Sequence, residues 1–287
     1  MSKILLLCAV LLFTTSFAAL GNIVVSNPAN TGQWYNMIAP NNNNTDAFWD
    51  NPSNDGGACN VGYWLNSANW NSYGSSNCSS DTWKTNGQGP GQSNLQFFAA
   101  TSGADTPIGW YMEVTGPNAV SLQLEVAGNS GSNAFGFYKL DGSGNIVGLT
   151  QLIAPGINPN TGSVVSINAN PGEFIGFYIC PGVNPTTPGT CNLTSGAGAF
   201  LSGTAYTGNV SGSAGKLALF REINPVGGVQ QAFWIGAEDK ANTGGEGVGD
   251  YNDMLVRLTV VPEPGFYGLL SLGIGGLFLA ARRRKQS

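Results

Sequence analysis

Short runs of alternating apolar and polar residues dominate positions 94–260, and each run is bounded by Gly, Asn, Pro or Asp. A period of two places successive side chains on opposite faces of a β-strand. Leu122, Leu124 and Val126 alternate with polar residues in this way, as in a half-buried strand. The predicted strands are 95–100, 108–114, 119–126, 134–140, 146–153, 163–168, 173–180, 199–206, 216–221, 231–237 and 253–260. Short strands at this spacing predict an all-β fold, an antiparallel, jelly-roll-like β-sandwich with long Gly/Asn-rich loops.

Residues 19–92 differ in texture from the rest, being rich in Asn and Trp and poor in alternating runs. We predict strands at 23–26 and 61–65 in this part. Its tryptophans are Trp34, Trp49, Trp64, Trp70 and Trp83. We expect the segment to pack as further strands and loops of the same β domain, whose sandwich core spans 93–260. The alternative is a separate module.

The first 18 residues are typical of a secretory signal peptide. Lys3 precedes an apolar run at 4–13, and small residues at Ser16 and Ala18 occupy the positions that a signal peptidase reads. Cleavage is expected after Ala18. The sequence therefore predicts export.

The other end of the chain has three parts in a fixed order. Pro262, Glu263 and Pro264 precede a 17-residue apolar stretch at 265–281, which is followed by Arg282, Arg283, Arg284 and Lys285. Seventeen residues are at the low end of what spans a bilayer core of about 30 Å. A basic cluster stays on the cytoplasmic face. The sequence predicts one C-terminal transmembrane helix at 265–281.

This tail resembles the PEP-CTERM sorting signal of exported bacterial proteins. The resemblance is confined to 261–287, and it implies that an exosortase-type enzyme cuts near the motif and releases or re-attaches the protein at the cell surface. The matching positions are Pro262, Glu263, Pro264, Arg282, Arg283 and Arg284. The implied protein is membrane-anchored first and then located at the surface or outside the cell. The alternative is an ordinary C-terminal anchor that is never processed.

The charge balance disfavours nucleic acid as a partner. Without both terminal signals, six basic residues remain against all 16 acidic ones, a net charge of −10. Binding of phosphate backbones needs clustered Lys and Arg.

Four cysteines lie between the two signals, namely Cys59, Cys78, Cys180 and Cys191. An even number in an exported protein predicts two disulfides, with three connectivities open. We favour Cys59–Cys78 and Cys180–Cys191, because each would close one loop. A metal site is less favoured, since the spacing lacks the close pairs typical of zinc sites.

The chain contains no histidine. This excludes Ser-His-Asp triads, Cys-His dyads and imidazole-ligated metals. Carboxylate chemistry, binding of hard cations and non-catalytic roles remain.

The strongest internal motif is a Glu-Asp pair and an Asp-Tyr-Asn-Asp sequence on either side of a Gly-rich connection. Residues 115–260 resemble secreted bacterial β-sandwich domains in which such a pair of sequences flanks two paired final strands. The oxygen donors are Glu238, Asp239, Asp250, Asn252 and Asp253. Crowded carboxylates are typical of a Ca²⁺ site. The alternative, which we favour, is that Asp250 and Asn252 cap a turn while the other carboxylates are solvated.

Trp64, Trp70 and Trp83 surround the Cys59 and Cys78 pair, and indole rings flanked by Asn are suited to stacking on sugars. The competing interpretation, that these rings form the core of a loop-rich region, is favoured.

Taken together, these features predict a non-catalytic exported protein of the bacterial surface or extracellular matrix. The rivals are an adhesin that binds exopolysaccharide and a carboxylate-dependent glycosidase, which needs two carboxyls about 5–9 Å apart in a cleft.

Overall fold

The computed structural model describes residues 22–27, 31–38, 47–49, 61–66, 92–105, 107–115, 120–126, 133–154, 165–180, 199–203, 216–225, 229–238, 251, 254–262 and 273–276. These residues form the strands β1 (Asn22–Ser26), β2 (Gly32–Asn36), β3 (Leu95–Ala100), β4 (Tyr111–Thr115), β5 (Val120–Val126), β6 (Ala134–Leu140), β7 (Ile146–Ile153), β8 (Val165–Ala169), β9 (Phe174–Cys180), β10 (Phe200–Leu201), β11 (Leu217–Glu222), β12 (Gln231–Ala237) and β13 (Met254–Pro262). They also form the helix α1 (Val61–Asn66) and a 3₁₀ turn at Gln92–Asn94.

The strands make two antiparallel sheets. The six-stranded sheet has the order β1-β4-β9-β6-β7, with β10 also paired to β9. The seven-stranded sheet has the order β2-β3-β11-β12-β13-β5-β8. The prediction of an all-β antiparallel sandwich is confirmed.

Residues of both sheets meet in a shared inner core. Ile175, Phe177 and Ile179 of β9 contribute from one sheet, and Leu217, Leu219 of β11 and Ile235 of β12 contribute from the other. Along each of these strands the inward residues alternate with outward ones, as the period of two requires. Packing between the sheets therefore stabilises the sandwich.

The seven-stranded sheet is also covered on its outward face. The outer core, as we call this second cluster, contains Ala218 and Phe220 of β11 together with Met37, Ala47, Trp49, Val61, Leu65, Leu95, Phe97, Ala99, Trp234, Tyr251 and Leu255. Trp49 has no exposed surface and packs edge-on against Phe97 and Phe220, with ring centroids 5.6 and 5.8 Å apart. The N-terminal segment thus supplies a layer over this sheet.

The outward face of the six-stranded sheet carries a smaller tyrosine cluster, formed by Tyr111, Ala134, Tyr138, Tyr178, Cys180, Ala199 and Leu201. Two Gly-Phe-Tyr sequences pair antiparallel in it, so that Gly136 is opposite Tyr178 and Tyr138 is opposite Gly176. A Cβ atom at either glycine would collide with the tyrosine ring across from it. Each tyrosine therefore lies over a glycine of the neighbouring strand.

The predicted strands at 95–100, 134–140, 146–153 and 231–237 coincide with β3, β6, β7 and β12. Two predictions were too long: residues 108–110 precede β4, and β10 ends at Leu201. The reason is a bend at Ser202, whose carbonyl accepts from the Trp110 backbone N–H at 2.6 Å and whose Oγ accepts from the Phe177 backbone N–H at 2.9 Å. These bonds tie the bend to β9 and to the residue before β4.

The strand predicted at 61–65 is wrong, because these residues form α1. Val61 and Leu65 are one helical turn apart, and both are fully buried in the outer core. The local run of β-branched and aromatic residues favours a strand, but packing of one helical face against the sheet overrides that preference. Strand β2 was not predicted, because its Gly, Gln and Asn residues are not typical of a strand. The segment nevertheless pairs with β3 along its whole length.

Candidate functional site

The sorting motif begins inside the last strand of the sandwich. Strand β13 pairs with β12 on one side and with β5 on the other, and Val256, Leu258 and Val260 point into the inner core. Pairing with β5 continues through Val261 to Pro262, which is opposite Val120. Pro262 is therefore both the last residue of a central strand and the first residue of Pro-Glu-Pro.

After Pro262, the structure describes residues 273–276 of the tail. Residues 273–276 form an exposed helical turn, and Ile274 is 54% exposed. No helix among the residues placed by the structure is long and apolar enough to cross a membrane. Glu263, Pro264, Arg282, Arg283 and Arg284 lie outside the described residues, as does most of 265–281, so the transmembrane helix remains a prediction. The same is true of the signal peptide at 1–18.

Strands β12 and β13 pair in antiparallel register from Gln231 opposite Val260 to Gly236 opposite Leu255. The pairing of the two final strands, which the acidic sequences connect, is thereby confirmed. Glu238, just after β12, is 3% exposed, and its backbone N–H donates to the carbonyl of Lys216 at 3.0 Å. The first of the five candidate oxygen donors is consequently buried against the neighbouring strand.

Tyr251 anchors the far end of the same connection. Its φ of 54° lies in the left-handed region, which costs a non-glycine residue about 1–2 kcal/mol. The ring is 2% exposed and packs edge-on against Phe48, with centroids 5.4 Å apart. Burial in the outer core offsets the backbone cost, so the motif's tyrosine has a packing role.

Asp239, Asp250, Asn252 and Asp253 lie outside the described residues. Within the described ranges, no three His, Cys, Asp or Glu residues are grouped so that they could hold a metal ion. Binding of Ca²⁺ by the acidic connection and capping of its turn by Asp250 and Asn252 both stay predictions.

A second carboxylate, Glu222, is buried in a charge network. Its side chain is 1% exposed, and its Oε1 lies 3.0 Å from Arg257 Nη2. The same oxygen accepts from Arg257 Nε at 3.0 Å and from Trp234 Nε1 at 2.9 Å. The three residues come from β11, β12 and β13, so the network joins neighbouring strands.

Two tyrosine hydroxyls of the tyrosine cluster are also buried. Burial, with the neighbouring Tyr111 as a smaller contribution, raises the pKa of the Tyr138 hydroxyl, and burial alone raises the pKa of Tyr178. Tyr138 Oη accepts from the Gly203 backbone N–H at 3.1 Å. Both hydroxyls are neutral at physiological pH, which suits them to packing.

Among the four candidate disulfide cysteines, the structure describes Cys180. It is fully buried at the end of β9, and its sulfur is disulfide-bonded. Cys59, Cys78 and Cys191 lie outside the described residues. The pairings Cys59–Cys78 and Cys180–Cys191 therefore stay predictions.

The tryptophans proposed for sugar stacking are not placed by the structure. Trp64 belongs to α1, but its side chain lies outside the described part, as do Trp70 and Trp83. The buried Trp49 of the same segment is a core residue.

No sequence motif indicated the cleft that lies between the two sheets beside β1 and β2. Trp34 and Arg221 lie in it, with the guanidinium carbon 4.3 Å from the centre of the indole ring. These residues are 187 positions apart in the sequence, so no local signal could have found their contact.

The comparison with known protein families agrees with the prediction made for the C-terminal tail. Residues 260–285 match the model of the PEP-CTERM protein-sorting motif. No curated protein and no solved structure matches the chain. The resemblance of residues 115–260 to secreted β-sandwich domains stays a prediction. The matched residues overlap the end of β13 and include the Pro-Glu-Pro sequence and the arginine cluster. The chain therefore carries a PEP-CTERM sorting signal, and it is an exported protein of the kind that an exosortase sorts.

Proposed function

We propose that this chain is a non-catalytic β-sandwich protein of the bacterial cell surface or extracellular matrix, held at the membrane by its tail until an exosortase acts. The observation that carries the proposal is the continuity between the domain and the signal. Strand β13 lies within the seven-stranded sheet and ends at Pro262, inside the matched sorting motif. The folded domain thus continues into its sorting signal without a linker between them.

A non-catalytic role is supported by what the chain offers for chemistry. It has no histidine, which is the side chain that most often acts as a general acid or base. Glu222 is held by Arg257 and Trp234 in the buried network described above. Glu238 is buried beside Lys216, away from open solvent. The Glu222 carboxylate therefore has a structural role in joining neighbouring strands.

The register of β13 also limits where the tail can be cut. Residues 254–262 are hydrogen-bonded in the sheet, and Val260 is fully buried. A protease acts far more readily on exposed, unpaired backbone than on a central strand. We expect the cut at or after Glu263, so that the mature domain keeps all of β13.

The test is to express the full chain in an exosortase-positive host and to determine the mass and location of the product. The unaltered chain is expected in the surface or extracellular fraction, with a C-terminus at or after residue 263. A Glu263→Ala, Pro264→Ala double variant should stay in the membrane fraction at the uncut mass. Pro262 is left unchanged because it belongs to β13.

The matched control is Asp141→Ala, which removes one exposed carboxylate from the turn between β6 and β7. It should be processed like the unaltered chain. Processing of the double variant to the same mass would contradict the proposed role of the tail. A mature C-terminus before residue 263 would contradict the position of the cut.

A further inference from the structure

The cleft beside β1 lies where the two sheets separate at one end of the inner core. Its volume is about 420 Å³, and its walls come from β1 of the six-stranded sheet and from β2, β3, β11 and β12 of the other. Gln231 joins these walls, because its amide accepts from the Ile23 backbone N–H at 2.7 Å and donates to the Ile23 carbonyl at 3.0 Å. The cleft is therefore built on paired strands of both sheets.

Arg221 is the basic residue among the described residues that line this cleft. Its guanidinium stacks over Trp34 and donates from Nε and Nη2 to one oxygen, Gln96 Oε1, at 2.8 and 2.5 Å. A guanidinium has five N–H donors, so three of them are not used by these contacts. Within the described residues, Arg221 forms no ion pair.

A fixed, partly buried cation without a carboxylate partner is unusual, since removing a charge from water is costly unless an opposite charge compensates it. Burial lowers the pKa of the Arg221 guanidinium from its ordinary value, which is consistent with partial desolvation. The planar fork, oriented by Trp34 and Gln96, matches the geometry of a carboxylate. Its free donors therefore suit an anionic ligand.

The wall also holds an acceptor without a donor. Gln230 Oε1 is buried and has no hydrogen-bond partner among the residues that the structure describes. It lines the same cleft as Arg221. A ligand hydroxyl that donates to Gln230 while a carboxylate of the same ligand accepts from Arg221 would satisfy both groups.

We propose that this cleft binds a sugar that carries a carboxylate, a uronate, with its carboxylate on Arg221 and a hydroxyl on Gln230. Glu222 also lines the cleft, but its carboxylate is held by Arg257 and Trp234, so the one described lining cation, Arg221, suits a monoanion better than a phosphate dianion. The formal net charge of −5 repels densely charged polymers, so the ligand is an isolated acidic sugar within a neutral glycan. The inference goes beyond the surface role, because its failure would leave the sorting role unchanged.

The experiment measures binding of glucuronate to the full chain, purified in detergent, by isothermal titration calorimetry. Glucose supplies the ring without the carboxylate, and acetate supplies the carboxylate without the ring. Saturable binding of glucuronate, with glucose and acetate each at least about tenfold weaker, is the expected result. Equal binding of acetate, glucose or inorganic phosphate overturns the proposal, and so does the absence of glucuronate binding.

Arg221→Gln should weaken glucuronate binding about tenfold or more, because the fork and the charge are lost. Lys139→Gln is the matched control, since it removes one cation that does not line the cleft, and its affinity should be unchanged. If Arg221→Gln fails to fold, Arg221→Lys and Gln230→Met are measured instead. Each of them should also weaken glucuronate binding. Unchanged affinity in the folded Arg221 variants overturns the proposal.

Discussion

The inner core and the outer core are both fully buried, but they draw on different parts of the chain. The inner core is built largely by strands after residue 94, which face each other across the two sheets. The outer core is built by the other face of the same seven-stranded sheet and by N-terminal residues such as Met37, Trp49 and Val61. Strand β11 belongs to both, since Leu217 and Leu219 face inward while Ala218 and Phe220 face outward.

This difference shows that the central strands are buried on two faces. A sandwich of two sheets needs one apolar face per strand, with the other face in water. Here the N-terminal segment covers the second face, so its residues take part in the packing of the domain. The following predictions test how far the two cores are equivalent.

The largest effects are expected from removing an aromatic ring from either core. Trp49→Ala in the outer core and Phe177→Ala in the inner core should each lower the free energy of unfolding by about 3–5 kcal/mol, because both side chains are fully buried. Urea unfolding followed by circular dichroism measures both values. A loss of less than about 1 kcal/mol for Trp49→Ala would show that the N-terminal layer contributes little to stability.

An intermediate effect is expected in the tyrosine cluster. Gly176→Ala places a methyl group against the Tyr138 ring and should lower the free energy of unfolding by about 1–3 kcal/mol. Gly142→Ala is the matched control, since nothing lies within 4 Å of the added methyl group, and its effect should be within about 1 kcal/mol of zero. Equal stability of the two variants would argue against close packing of Tyr138 on Gly176.

A smaller, pH-dependent effect is expected at Glu173. Burial raises its pKa, but hydrogen bonds from Lys139 Nζ at 2.7 Å and the Asn170 backbone N–H at 2.9 Å outweigh burial and lower it below the ordinary value of 4.5. A lowered carboxyl pKa adds stability above the unfolded-state pKa, and this stability is lost as the pH falls through the folded-state pKa. Glu173→Gln should therefore cost about 1 kcal/mol at pH 7.

That cost should shrink as the pH falls below about 4.5, and urea unfolding at a series of pH values from 7 to 3 measures it. A cost independent of pH would mean that the glutamate acts by shape alone.

The smallest effect is expected at an exposed position of the edge strand β7. Val147 is 67% exposed, so Val147→Thr should change the free energy of unfolding by less than about 0.5 kcal/mol. The same exchange at Val256, which is fully buried in the inner core, should be clearly destabilising in the same urea assay. Similar losses at both positions would mean that exposure does not distinguish the two strands.

Much of the sandwich could be predicted because alternation and turn residues are local signals. The turn at 141–145 shows this, since Asp141 Oδ1 accepts from the backbone N–H groups of Ser143 and Asn145 at 2.9 and 2.8 Å. Gly144 has the positive φ of 82° that such a turn uses. Strand β2 and helix α1 escaped prediction because their conformations depend on partners distant in sequence.

The candidate sites divide in the same way. The sorting motif was predictable because its three parts follow one another along the chain. For the acidic connection, the sequence predicted that the strands on either side of it pair. It did not predict that Glu238 is buried or that Tyr251 packs in the outer core. The cleft was not predictable, since Trp34, Gln96 and Arg221 converge from three separate strands and Gln230 is the residue before β12.

By itself, the sequence determined the export signal of this protein, its β-rich architecture and the exclusion of histidine chemistry. These properties depend on composition and on residues close together in the chain. The tertiary structure decided which strands are buried on both faces, how the two Gly-Phe-Tyr sequences pair, and that Pro262 ends a central strand. Those properties arise from contacts between residues distant in sequence, whose free energy is gained only when the sheets have assembled.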